Sequence, residues 1–144
     1  MNSYTFKNQD ISWNQLEGFD HFSYHILDVD REQKVVDAIF KFAANEKIAL
    51  HRHLALNHML VLEGEHILYE PDGTVKEVRP AGRYTVSQAD HEPHQEGGRD
   101  QDVIILFSIR GTDGDMYEIL DAEMNQIAML GMDDFEGLLA AQAA

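Results

Sequence analysis

The stretch His51-Arg52-His53-Leu54-Ala55-Leu56-Asn57-His58-Met59-Leu60-Val61-Leu62-Glu63-Gly64 decides how the rest of the chain is read. Its second half alternates as a strand does, with Met59, Val61 and Glu63 on one face and Leu60 and Leu62 on the other. His51 and His53 close an earlier predicted strand that begins at Ile48. Lying two apart, their imidazoles leave the same face and can reach one ion. Spacing alone does not separate a metal pair from two hydrogen-bonded core histidines.

Working outward, strand and turn signals dominate from Lys34 onward. Val36, Ala38, Phe40 and Phe42 share one face of a predicted strand, and Ala43 to Glu46 reads as a turn. Glu70-Pro71-Asp72-Gly73 is a hairpin signal, because Pro and Asp-Gly supply the turn dihedrals. Arg79-Pro80-Ala81-Gly82 is a second turn, and Tyr84 to Val86 a short strand. His91-Glu92-Pro93-His94 is too interrupted by proline to lie inside a sheet. Asp102 to Ile109 is the most apolar run and reads as a strand buried on both faces, with a turn at Gly111 to Gly114. Toward the N-terminus, Phe22 to Leu27 reads as a strand ending in an acidic turn at Asp28 to Arg31. Ile11, Trp13 and Leu16 suggest a strand-like arm before it. Asp133 or Asp134 can cap a short C-terminal helix through Phe135, Leu138 and Leu139. The expectation is an all-β jelly-roll barrel in a single domain spanning 1–144, its core at about 34–120.

Composition narrows the chemistry. The chain has 144 residues, 44% of them hydrophobic, which is enough for one core without covalent staples. There is no cysteine, so thiolate metal sites, disulfides and cysteine nucleophiles are excluded, and any metal must be held by nitrogen and oxygen. A formal charge of −15 argues against nucleic acid as a partner. No apolar run approaches the ~20 residues of a membrane span. The opening MNSYTFKNQD has neither the basic start nor the apolar stretch of a signal peptide, so a cytoplasmic protein is expected. Five of the eight histidines fall between His51 and His91, and His94 follows. His94 or His91 could bring a third imidazole to the His51/His53 pair. Three neutral imidazoles leave coordination positions open, as an iron(II), nickel, manganese or zinc centre needs if a substrate is to bind.

These residues resemble the cupin superfamily. Its first motif, His-x-His followed by a strand ending Leu-Glu-Gly, is similar to His51-Arg52-His53 and Leu62-Glu63-Gly64. Its second, running from Pro-x-Gly to Pro-His, is similar to Pro80-Ala81-Gly82 and Pro93-His94. The match covers roughly residues 34 to 110. It implies a double-stranded β-helix and a metal site of His51, His53 and His94, with His91 the rival for the third place. The glutamate that usually completes a cupin site is replaced, by spacing from Gly64, by Asn57. An amide is a poor ligand, so a three-histidine site is the better reading. That arrangement resembles the subgroup containing acetylacetone dioxygenase and 2,4'-dihydroxyacetophenone dioxygenase, and the resemblance to the second of these implies that Glu70 matches a glutamate that supports or joins the metal site.

The resemblance implies a non-haem Fe(II) dioxygenase cleaving a C–C bond of a β-diketone or hydroxyketone-type small molecule. Zn, Ni or Mn are other candidate ions. Phe40, Phe42, Met59, Val61 and Phe107 are candidates for the pocket wall, although each could equally be plain core. His58 has the opposite parity from His51 and His53 and is expected to face away. A homodimer is the family expectation. The alternative is a non-catalytic cupin holding zinc as a sensor or regulatory module, similar to that of anti-sigma factors.

Overall fold

The computed structural model describes residues 3–89 and 92–143. A short 3-10 turn at Asn8–Asp10 precedes the strands β1 (Phe22–Asp30), β2 (Val35–Phe42), β3 (His51–His53), β4 (Leu56–Glu63), β5 (Glu65–Tyr69) and β6 (Val75–Pro80). There follow β7 (Tyr84–Ser87), β8 (Gln95–Gly98), β9 (Val103–Arg110), β10 (Asp115–Leu120), β11 (Gln126–Gly131) and the helix α1 (Met132–Ala143). A five-stranded sheet runs in the order β1-β2-β9-β4-β7, and two three-stranded sheets run β11-β10-β3 and β6-β5-β8. An antiparallel bridge between His51 and His94 joins the two small sheets. The all-β jelly roll with a short terminal helix is the architecture expected from the sequence.

The core forms where alternating faces meet. Val36, Ala38, Phe40 and Phe42 all turn inward from β2, beside Val103, Ile105, Phe107 and Ile109 of β9. Tyr117 and Ile119 of β10 join them from a small sheet, and Met132 and Phe135 from α1. The predicted hairpin at Glu70 closes with the Glu70 N–H on the Thr74 carbonyl (2.8 Å) and the Gly73 N–H on the Glu70 carbonyl (2.9 Å). Gly73 takes the φ of +89° that the turn needs and that a Cβ would disfavour.

Several local expectations are corrected. β1 does not turn at Asp28. A bulge between Ile26 and Asp28 keeps the acidic end paired with β2, and the turn falls at residues 31–34. The N-terminal arm is not strand-like throughout: it holds the 3-10 turn and one bridge, Asn14 to Tyr24. β8 and β11 were not anticipated, because Gln95-Glu96-Gly97-Gly98 and the segment after Asn125 lack a strand's apolar alternation. Asp134 caps α1 from inside its first turn, accepting the Gly131 N–H at 2.8 Å. Among the described residues no helix is long and apolar enough to cross a membrane.

Candidate metal centre

The bridge that joins the small sheets also builds the site. The His51 N–H donates to the His94 carbonyl (3.0 Å) and the His94 N–H to the His51 carbonyl (2.9 Å). Residues opposed in this way send their side chains from the same face. His53 lies two residues beyond His51, and Glu96 two beyond His94, so period-two alternation puts all four on that face. One ligand atom from each of His51, His53, His94 and Glu96 lies within 4.8 Å of all the others, and all four residues are buried.

Glu96 is the centre of the cluster. Its Oε2 lies 2.8 Å from His51 Nε2, 3.5 Å from His94 Nε2 and 4.0 Å from His53 Nε2. Its Oε1 accepts from His66 Nε2 at 2.7 Å. Burial opposes ionisation of this carboxylate, but the hydrogen bonds from His51 and His66, with the His53 and His94 imidazoles close by, outweigh it and hold the pKa well below the usual range. Burial likewise opposes a proton on His51, and Glu96 together with the Ala49 carbonyl (2.7 Å from Nδ1) reverses that, raising its pKa. His53 is pushed down to about 4 by burial, against the pull of Glu96 and with the help of His51 and His94. Burial and then the Glu96 charge push Tyr117, whose ring stands 5.3 Å from that of His53, well above the ordinary phenol value.

The donor set fits a divalent metal ion. Both ring nitrogens of His53 and Nε2 of His94 are buried without a hydrogen-bond partner among the described residues. Unpaired imidazole nitrogens turned toward a carboxylate are costly in a dry interior, and a cation among them would satisfy both. The result is a three-histidine, one-glutamate site suited to a divalent metal.

The remaining candidates are placed as follows. Asn57 is buried and occupied elsewhere, accepting from the Tyr117 hydroxyl (2.6 Å) and donating to the Ala55 carbonyl (2.9 Å). The carboxylate missing from its position comes instead from Glu96, across the bridge. Glu70 lies just past the end of β5, in the hairpin, and is not in the cluster. His58 faces out and meets the Tyr84 hydroxyl. His91 lies outside the described residues. Phe40, Phe42 and Phe107 line an apolar cavity of about 60 Å3, which His51, Glu96 and Tyr117 also border. Met59 and Val61 do not border it and pack in the core. The sequence reading missed Glu96 and His66. Glu96 had one signal: it repeats beside His94 the two-residue step of His51 and His53.

Fold and site together define a metal-site cupin. The chain belongs to the ChrR cupin-like domain family, whose model matches residues 2–112. No curated protein matches the chain. Among solved structures it is similar to an acetylacetone dioxygenase from Acinetobacter johnsonii, with a TM-score of 0.71 at 14% identity, covering 99% of this chain and 93% of that one. It is similar also to an RmlC-like cupin protein from Ralstonia eutropha, with a TM-score of 0.74 at 15% identity, covering 98% and 87%. A third likeness is to the Rhodobacter sphaeroides complex of SigE with the anti-sigma ChrR, with a TM-score of 0.57 at 19% identity, covering 72% and 50%. At such identities these likenesses establish the fold alone.

Proposed function

We propose that this chain is a metal-dependent oxygenase that holds Fe(II) through His51, His53, His94 and Glu96 and cleaves a C–C bond of a compact β-diketone or hydroxyketone. The observation that carries the reading is the apolar cavity bordered by two of the four site residues, His51 and Glu96. A purely structural ion needs no such space beside it. The cavity is far smaller than the ~300–1,000 Å3 of pockets that take drug-sized ligands, which favours a substrate of few heavy atoms.

When bound, the ion would supply Lewis acidity toward ketone oxygens and electron exchange with dioxygen. The chain supplies the surroundings. Phe40, Phe107 and Phe135 line the cavity with apolar surface, and Leu16 and Phe19 of the arm border it as well. The Tyr117 hydroxyl is committed to Asn57, so its ring serves as wall rather than as proton donor. Among the described residues Glu96 is the one carboxylate in the ligand group, and its imidazole contacts hold it ionised.

A second reading is a zinc-holding sensor or regulatory cupin. Three imidazoles and one carboxylate are by themselves a full tetrahedral set, which favours it, as does membership of the ChrR cupin-like family. Metal analysis after anaerobic purification, followed by oxygen uptake with acetylacetone and hydroxyacetophenones after iron reconstitution, decides between them. Oxygen consumption with iron supports the oxygenase. Tightly held zinc and no oxygen consumption on iron reconstitution would overturn it in favour of the sensor.

A further inference from the structure

The two oxygens of Glu96 face different partners. All three histidines of the metal-capable group approach Oε2, whereas Oε1 accepts from His66 Nε2 at 2.7 Å. His66 is 0% exposed and is not one of that group. It projects from β5, in register with Gly98 of β8, two residues along from Glu96. Its ring packs against Phe42, with centroids 5.9 Å apart, and the Phe42 ring is itself fixed among Phe22, Phe40 and Phe107. A carboxylate can only accept, so the hydrogen sits on Nε2 of His66. Its Nδ1 is buried without a partner among the described residues, so this bond is the polar contact that accounts for a histidine at a site otherwise suited to an apolar side chain.

We infer that His66 is a positioning residue for the metal centre: it ties down Oε1 of Glu96 so that only Oε2 is offered to the ion. The inference rests on the reading that the four-residue group holds a divalent metal. Glu96 stands on the short β8, followed by two glycines, and its side chain has three rotatable bonds. Without a partner on Oε1 the carboxylate could rotate and present both oxygens, filling a position that would otherwise face the cavity. Partners that orient ligands in this way are commonly worth 10–100-fold in metal affinity.

The test uses Co(II) as probe on the metal-free 144-residue chain, with the dissociation constant measured by chelator competition and the visible d–d spectrum recorded at saturation. His66→Gln keeps an N–H near the Nε2 position, His66→Asn is too short to reach Glu96, and His66→Phe removes the donor while keeping the ring. The expected result is a Kd within about threefold of wild type for His66→Gln. His66→Asn and His66→Phe are expected to bind about 10–100-fold more weakly, with a d–d spectrum changed in position and intensity as the carboxylate shifts. Near-UV circular dichroism checks the fold, and should His66→Phe fail to fold, His66→Asn carries the comparison. Wild-type affinity and spectrum in the folded Asn or Phe variant would overturn the role of His66 while leaving the metal site standing. So would a loss in folded His66→Gln equal to that in His66→Asn. Failure of the wild-type chain to bind Co(II) would overturn the metal reading and this inference with it.

Discussion

Replacing Gly97 by alanine should damage the fold and the metal centre together. A Cβ on Gly97 would lie 1.9 Å from the Glu46 carbonyl oxygen and 3.1 Å from the Glu46 carbonyl carbon, both backbone atoms. Close carbon–oxygen contacts in proteins fall at about 3.3–3.6 Å, so the two segments must part by more than ~1 Å. They cannot part freely, because the Ile48 N–H donates to the Glu96 carbonyl (2.8 Å) and the Asn45 N–H to the Arg99 carbonyl (2.9 Å). Overpacking alone costs about 1–3 kcal/mol, and weakening one buried backbone hydrogen bond adds about 1 kcal/mol, giving about 2–4 kcal/mol. With a urea dependence of roughly 2 kcal/mol per M, the midpoint should fall by about 1–2 M. Because Gly97 follows Glu96, the displacement also moves the carboxylate, and metal Kd should rise by about tenfold or more. Gly137 in α1 is the control. Nothing lies within 4 Å of a Cβ there, and Gly137→Ala should stabilise by about 0.5–1 kcal/mol through helix propensity. A Gly97→Ala midpoint within about 0.3 M of wild type would refute the reasoning, since a backbone clash of that size has no cheap relief.

Divalent metal above its Kd should raise thermal stability with the logarithm of its concentration, reaching about 2.7 kcal/mol at a hundred times Kd, and EDTA should reverse it; a melting temperature indifferent to both would contradict the site. Tyr117→Phe should cost about 1–3 kcal/mol in urea unfolding, because it leaves the buried Asn57 Oδ1 without its donor; unchanged stability would count against that bond. Asp121 accepts the N–H groups of Asn125 and Glu123, both at 2.9 Å, and these hydrogen bonds, that of Asn125 first, lower its pKa. A folded pKa below the unfolded one means that its contribution is present above the unfolded value of about 3.9 and is lost as pH falls through the folded value. Carbon-13 titration of the Asp121 carboxyl should therefore show a midpoint below about 3.9, and a midpoint at or above it would contradict the turn geometry.

What was legible in the sequence and what was not divide along physical lines. Strands with a strong period, such as Val36 to Phe42, declare themselves because one face must be buried whatever the partner. His51 and His53 are legible for the same reason. Glu96 was hidden because Gln95-Glu96-Gly97-Gly98 resembles a solvated turn. Its strand character comes from pairing with β5, and its glycines from the close approach of Glu46 and Gln101 backbone, neither of which the local sequence records. Simple alternation would set His66 and Glu70 on one face, yet β5 ends at Tyr69 after a register shift at Leu68, and the parity does not carry across it. Asn57 gave half of the answer. Its amide removes the carboxylate from β4, but only the His51–His94 bridge reveals that a carboxylate returns from the other side.

The site and the cavity beside it are built by different parts of the fold, and this division bears on how one architecture serves unlike proteins. All four metal-capable residues stand on two short segments, 51–53 and 94–96, held in register by the His51–His94 bridge. The backbone of these segments is placed by strand pairing and by the close approach at Gly97 and Gly98. The cavity wall comes mainly from elsewhere: Phe40 and Phe107 from the five-stranded sheet, Leu16 and Phe19 from the arm, Phe135 and Leu138 from α1. Changing Leu16 or Leu138 therefore reshapes the space beside the four site residues while leaving segments 51–53 and 94–96 unaltered in sequence. A metal centre fixed by backbone register and a wall supplied by the outer elements can vary independently. On that arrangement, filling the cavity with larger side chains would turn an open centre into a closed one while leaving its four donors in place.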